Sequence, residues 1–174
     1  MNPLKKLASQ TVIYGLSSVV GRLLNYLLVP LYTRYFLPAE YGVVTELYAY
    51  VAFLVIMLTY GMETAFFRFS KKEETNVVYS TTLISLLISS VIFVGLIYLN
   101  SSAISEWLGY FNNPEYIQFF ALIIGMDAVA SISFAKLREQ DKAMRFAFIK
   151  VVNIMVNIGL NLYFIVYQEY GIAY

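Results

Sequence analysis

The stretch QTVIYGLSSVVGRLLNYLLVPLYTRYFLPAEY, Gln10 to Tyr41, decides how the chain is read. It opens with about 20 predominantly apolar residues, and at ~1.5 Å per residue a helix of that length crosses the roughly 30 Å hydrocarbon core of a bilayer. Arg22 stands near the centre of that run. Hydrocarbon cannot replace the hydration of a guanidinium, so an arginine at this depth costs about 3 kcal/mol or more unless the protein gives it a polar environment. Arg22 therefore marks a candidate hydrated path, and the remaining apolar stretches are candidates for its walls.

The rest of the composition points the same way. The 174 residues are 60% hydrophobic and 17% aromatic, with 13% charged residues and a mean hydropathy of +0.67. A soluble domain carries about 25% charged residues, so lipid is expected to be the principal solvent. Many of the 16 tyrosines fall near the ends of apolar runs, where an amphipathic ring suits the interface. A net charge of +1 offers nothing to nucleic acid, and no nucleic-acid partner is expected. Cysteine and histidine are both absent, which removes disulfides, thiol nucleophiles, imidazole acid–base chemistry and the ordinary Cys/His metal sites. No catalytic residue, cofactor or metal is expected. Lys5 and Lys6 before an apolar run suggest a signal peptide, but Arg22 interrupts the run and no convincing small-residue cleavage site follows, so a retained helix is expected.

Five apolar stretches emerge, near 10–33, 43–67, 77–99, 116–135 and 147–168, each long enough to span a bilayer. Their length favours helices over transmembrane strands, which need only about 10 alternating residues. The expected fold is all-α, a polytopic bundle of five transmembrane helices. Pro38 suits the first turn of the second span, Lys71 to Glu74 interrupt the pattern after it, and Asn112, Asn113 and Pro114 are placed to start the fourth. Trp107, Tyr110 and Phe111 form an interfacial cluster before it, and Gly171 is a candidate cap for the fifth.

Charge sets the orientation. Lys5 and Lys6 precede span one, Arg68, Lys71 and Lys72 follow span two, and Lys136, Arg138, Lys142, Arg145 and Lys150 lie between spans four and five. The opposite connections hold only Arg34 among Lys and Arg. The positive-inside rule then places the N-terminus in the cytoplasm and the C-terminus outside. The segment KLREQDKAMRFAFIK, Lys136 to Lys150, reads either as ordinary positive-inside charge or as an amphipathic cytoplasmic extension anchored by Ala135, Leu137, Met144, Phe146 and Phe148.

Polar residues inside the spans are the candidate path. Ser18, Arg22, Asn25 and Tyr32 share one side of span one, with Tyr14 a turn earlier. Arg22 can direct several donors at phosphate oxygens, or it can pair with Glu46, Glu63 or Asp127 to lock the bundle. Glu46, Tyr50, Phe53, Met57, Tyr60 and Thr64 fall along one side of span two, either a cavity wall or a packing face. Asp127 lies in the middle of span four and reads as a structural partner, a proton carrier or a cation ligand. Asn153, Asn157 and Asn161 recur every fourth residue on one slowly drifting face of span five, where amides either line a path or join helices. Two acids in separate spans do not define a sodium site, and neither proton nor sodium coupling is assigned.

Three runs carry a family resemblance: VPLYTRYFLPAEYG at Val29–Gly42, GMETAFFRF at Gly61–Phe69, and KLREQDKAMRFAFIKVVNIMVNIGLNLYF at Lys136–Phe164. Together they resemble the N-terminal portion of bacterial polysaccharide-biosynthesis flippases of the polysaccharide transport family. That family sits within the superfamily that also holds multidrug exporters. The resemblance implies two lobes of related fold, with residues 1–174 forming a partial first lobe. It also implies movement of undecaprenyl-pyrophosphate-linked oligosaccharide across the bacterial cytoplasmic membrane for O-antigen, other lipopolysaccharide, capsule or exopolysaccharide synthesis. Membrane lipids, a glycan polymerase and glycosyltransferases are the partners it implies. Arg22 is the residue carried over first to the cationic central cavity of such flippases, then Asn25 and Asn157, with Arg34 as an outer contact. Cation-coupled efflux of a small molecule and a nontransporting membrane scaffold are the alternatives.

Overall fold

The computed structural model describes residues 11–16, 19–20, 23–24, 26–110 and 113–167, and among these every regular element is helical. The described residues between 11 and 27 are helical and are followed by α1 (Val29–Tyr35), α2 (Pro38–Thr59), α3 (Met62–Phe69), α4 (Thr75–Leu99), α5 (Ser101–Trp107), α6 (Pro114–Glu139) and α7 (Ala143–Asn161). A six-residue π-helical turn, Leu162–Tyr167, continues α7. The chain divides into two compact units, residues 46–139 and residues 1–45 with 140–174.

Four of the helical stretches, Pro38–Phe69, Thr75–Leu99, Pro114–Glu139 and Ala143–Ile165, are long and apolar enough to cross a membrane. No more than 33% of any of their apolar windows is buried inside the protein, and side chains such as Ile56, Val91, Phe119 and Met155 are exposed. Apolar surface on that scale is a liability in water and the normal outer face of a helix in lipid. The first expected span, 10–33, is described only in part. Lys5, Lys6, Ser18, Arg22, Asn25, Phe111, Asn112 and Gly171 lie outside the described residues.

The unit 46–139 is organised by α4 lying along α6, with α3 against both and α5 folded onto α6. In lipid there is little hydrophobic drive to bring two apolar helices together, so close backbone approach and dispersion must do it. The sequence provides for this with a stripe of small residues on α6. Ala121, Gly125, Ala128 and Ala135 are buried along it, with Ile124 and Ile132 between them, and they meet Thr82, Leu86 and Ser90 on α4. A Cβ on Gly125 would come within 2.9 Å of the Val94 Cγ2 and 3.6 Å of the Ser90 Cβ. Phe66, Leu86, Ile132 and Ala135 close the core at one end, flanked by Met62, Phe67, Val78, Tyr79 and Leu83. Several helix hydroxyls are satisfied on their own backbone, as in the Thr82 Oγ1 donating to the Val78 carbonyl at 2.7 Å, whereas the buried Ser90 Oγ has no partner.

Three departures from the expected spans have local causes. Span two is longer than 43–67 and is interrupted: Tyr60 (φ 33°) and Gly61 (φ 76°) adopt the left-handed region, which ends α2 and starts α3. Tyr60 carries that conformation while its hydroxyl bonds the Ser85 Oγ at 2.8 Å. The serine-rich segment after span three forms the short helix α5, because Ser101 and Ser105 bury their hydroxyls on the carbonyls of Tyr98 and Ser102. Lys136–Lys150 is no separate amphipathic extension. Lys136 and Arg138 complete the last turn of α6, where cations suit the helix dipole; Asp141 (φ 57°) makes the turn; Ala143 begins α7.

The start of α2 shows why the FLPAEYG run folds as it does. Pro38 occupies the first turn, where its missing N–H costs nothing, and the Leu37 N–H donates to the Glu40 Oε2 at 2.8 Å, half of a capping box.

A Gly125→Leu substitution is expected to destabilise the α4–α6 pair by about 1–3 kcal/mol through overpacking. Thermal unfolding in detergent micelles checks this, with a lowered midpoint expected relative to the parent protein.

Candidate functional site

Three polar nodes punctuate the apolar helices. In the unit formed by residues 1–45 and 140–174, Tyr32 on α1 donates its hydroxyl to the Asn161 Oδ1 at 2.8 Å. Asn161 in turn donates Nδ2 to the Asn157 carbonyl at 2.8 Å and reaches the Asn157 Oδ1 at 3.3 Å. The Tyr32 ring packs near Phe36 and Tyr41, with centroids 6.1 and 6.0 Å away. The ring is thus held by aromatics while its hydroxyl enters an amide relay. Tyr14 meets the buried Phe146 edge-on at 5.1 Å in the same unit.

In the unit 46–139, Glu46 sits at one end of the bundle and accepts two tyrosine hydroxyls, Tyr50 at 3.0 Å and Tyr110 at 2.9 Å. Burial, then the hydrogen bond and the charge of Glu46, push the Tyr110 hydroxyl up to a pKa of about 12. The Tyr110 hydroxyl therefore keeps its proton, and its bond to Glu46, throughout the physiological range.

The other end of this unit is held by charge. The Arg138 Nη2 meets the Glu63 Oε1 at 2.6 Å, while its guanidinium lies over the Phe67 ring at 5.6 Å. Lys136 places Nζ 3.8 Å from the Tyr79 ring centroid and donates to the Asn76 Oδ1 at 3.2 Å. The partners of the Glu63–Arg138 bridge are over a third exposed, so its contribution is that of a surface pair, under about 1 kcal/mol. Its value is positional: it ties α3 to the end of α6.

Within each unit, some of the candidate path residues meet and others do not. Asn157 and Asn161 are brought together, with Tyr32 as their third member, and Asn153 lies exposed on the same helix. Arg34 is exposed in the last turn of α1. Within residues 46–139, Glu46 is joined to tyrosines and Asp127 is exposed midway along α6, off the small-residue face; the two do not meet. Of the proposed side of span two, Glu46, Tyr50, Phe53, Met57, Tyr60 and Thr64 are all exposed. Glu63, one of the acids considered for Arg22, is paired with Arg138. Arg22 and Asn25 are outside the described residues. Among the described residues no three carboxylates gather to hold a metal ion.

Glu40, Tyr110 and the Glu63–Arg138 bridge were not picked out as partners from sequence. Glu40 had a signal, an acid two positions beyond a proline at a helix start. The others join residues far apart in the chain, which no local pattern encodes.

A family model described as "Polysaccharide biosynthesis protein" matches residues 31–172. The chain belongs to that family. It is accordingly a polysaccharide-transport-related membrane protein. No curated protein matches the chain, and no solved structure does. The family match contains Tyr32, Arg34, Glu46, Asp127 and the three asparagines of α7, whereas Arg22 and Asn25 precede it.

Two outcomes follow from these nodes. In a double-mutant cycle, Tyr32→Phe and Asn161→Ala are expected to show coupling of about 0.5–1.5 kcal/mol in detergent unfolding, the size of one neutral hydrogen bond. The Tyr110 pKa is raised on folding, so its contribution to stability is complete below about pH 10, the unfolded value, and is lost as pH rises through about 12. Ultraviolet titration of tyrosinate is expected to lose one group with a midpoint near 12 in Tyr110→Phe.

Proposed function

We propose that this chain supplies five membrane-spanning helices to the first lobe of a two-lobed flippase. Its cargo is undecaprenyl-pyrophosphate-linked oligosaccharide, moved from the cytoplasmic to the outer leaflet of a bacterial cytoplasmic membrane. The observation that carries the reading is the family match across residues 31–172 on a chain with four apolar membrane-length helices. A pyrophosphate head cannot enter hydrocarbon cheaply, whereas a polyprenyl tail gains by staying there. A transporter for such a molecule needs donors for the head inside the bundle and gaps between helices for the tail. Arg22 is the donor assigned to the head in this reading. Asn25, Asn153, Asn157 and Asn161 would offer amides to sugar hydroxyls, with Arg34, Glu46 and Asp127 as further path residues. Orientation follows the positive-inside rule, with the N-terminus cytoplasmic and Arg68, Lys136 and Arg138 on the cytoplasmic side. A glycan polymerase or glycosyltransferases would supply or consume the cargo.

Replacing Arg22 with Ala in the full coding frame is expected to lower glycan export on the order of tenfold, as loss of a charged hydrogen bond of ~1.5–3 kcal/mol implies. Membrane insertion is expected to be unchanged, and Arg22→Lys should recover part of the activity. Surface glycan measured against membrane-extracted protein reads both. Normal export by a stably inserted Arg22→Ala protein removes Arg22 from the transport path.

A further inference from the structure

Where α2, α4, α5 and α6 meet, the unit 46–139 contains a partly open apolar pocket of about 180 Å³. Its walls include Val51, Phe93, Ile104 and Ile124, and Tyr50 and Trp107 line it as well. At the ~30 Å³ a water takes in the liquid, the pocket has the volume of about six waters, room for a short stretch of an acyl chain. Tyr50 belongs to both the apolar wall and the polar rim, because its hydroxyl is held by Glu46.

The rim has a sign. Glu46 binds two neutral hydroxyls, and among the described residues no cation pairs with it. A carboxylate has about four acceptor sites, so two tyrosines do not saturate it. Trp107, the single tryptophan of the chain, stands beside the pocket and is 85% exposed. The rise along α2 and α3 from Glu46 to Glu63 is at most about 25 Å, close to the hydrocarbon thickness. Glu63 is at the opposite end with Arg138, which puts Glu46, Tyr110 and Trp107 at one membrane interface, the level where Trp and Tyr concentrate.

We propose that this pocket and rim form a binding site for a bilayer phospholipid with an ethanolamine headgroup. One acyl chain enters the pocket, the ammonium donates to Glu46, and the Trp107 ring covers the head. A carboxylate flanked by aromatic rings suits an ammonium and repels the phosphate of an anionic headgroup that lacks one. The site does not depend on which glycan, if any, the protein transports.

Because Trp107 is the only tryptophan, its fluorescence reads the site directly. The full chain is reconstituted in phosphatidylcholine vesicles containing a minor fraction of brominated-chain phosphatidylethanolamine or, separately, brominated-chain phosphatidylglycerol. The ethanolamine lipid is expected to quench Trp107 more strongly, with an apparent affinity about two- to fivefold higher, as an exposed ion pair allows. Glu46→Gln is expected to equalise the two lipids, and Glu46→Asp, which retains the charge, to preserve the preference. Equal quenching in the parent protein overturns the proposal, as does a preference that survives in Glu46→Gln.

Discussion

The structure rests on the close approach of two helices in a solvent that does not push them together. Leucine against leucine gains little in lipid, because the tails are as apolar as the side chains. The α4–α6 pair instead uses surfaces that let backbones come near: Gly125 beneath Val94 and Ser90, and Ala121, Ala128 and Ala135 along the same line. Many dispersion contacts over a long seam replace the hydrophobic drive of a soluble core. The bulkier core of Phe66, Leu86 and Ile132 closes one end of that seam.

Polar side chains then do at the two ends what small residues do in the middle. Glu46 with its tyrosines fastens α2 to the segment preceding α6, and Glu63 with Arg138 fastens α3 to the end of α6. Neither node is deeply buried, and their strength is modest. They fix register: sliding α6 by one turn would separate Arg138 from Glu63 by about 5.4 Å. The Tyr32–Asn161–Asn157 relay uses amides rather than charges, the less costly choice for polar groups borne on a membrane-length helix.

Much of this was legible in the sequence, for reasons that differ by element. Apolar length alone placed spans three and four to within a few residues, since 77–99 became Thr75–Leu99 and 116–135 became Pro114–Glu139. The extra turn of α6 carries Lys136 and Arg138, which read as loop residues because charge marks the edge of hydrocarbon, not the end of a helix. The break at Tyr60 was hidden because a tyrosine rarely takes a positive φ, and only the Gly61 beside it hinted at an interruption. The four-residue asparagine spacing put Asn153, Asn157 and Asn161 on one face of α7, but nothing local told that Asn161 would bond both Asn157 and Tyr32. Glu46 was selected as a path acid, and what it binds among the described residues is a pair of phenols from distant points in the chain.

The left-handed joint at Tyr60 and Gly61 has a mechanical consequence. Below it, α3 is fastened to α4 and α6 by the packing of Phe66 and by the Arg138 bridge. Above it, α2 contributes only Leu47 and Val51 to the buried interior. One apolar stretch is thereby split into a short, closely packed foot and a long shaft steered at its far end by the Glu46–Tyr110 bond and the Tyr48–Phe120 edge contact.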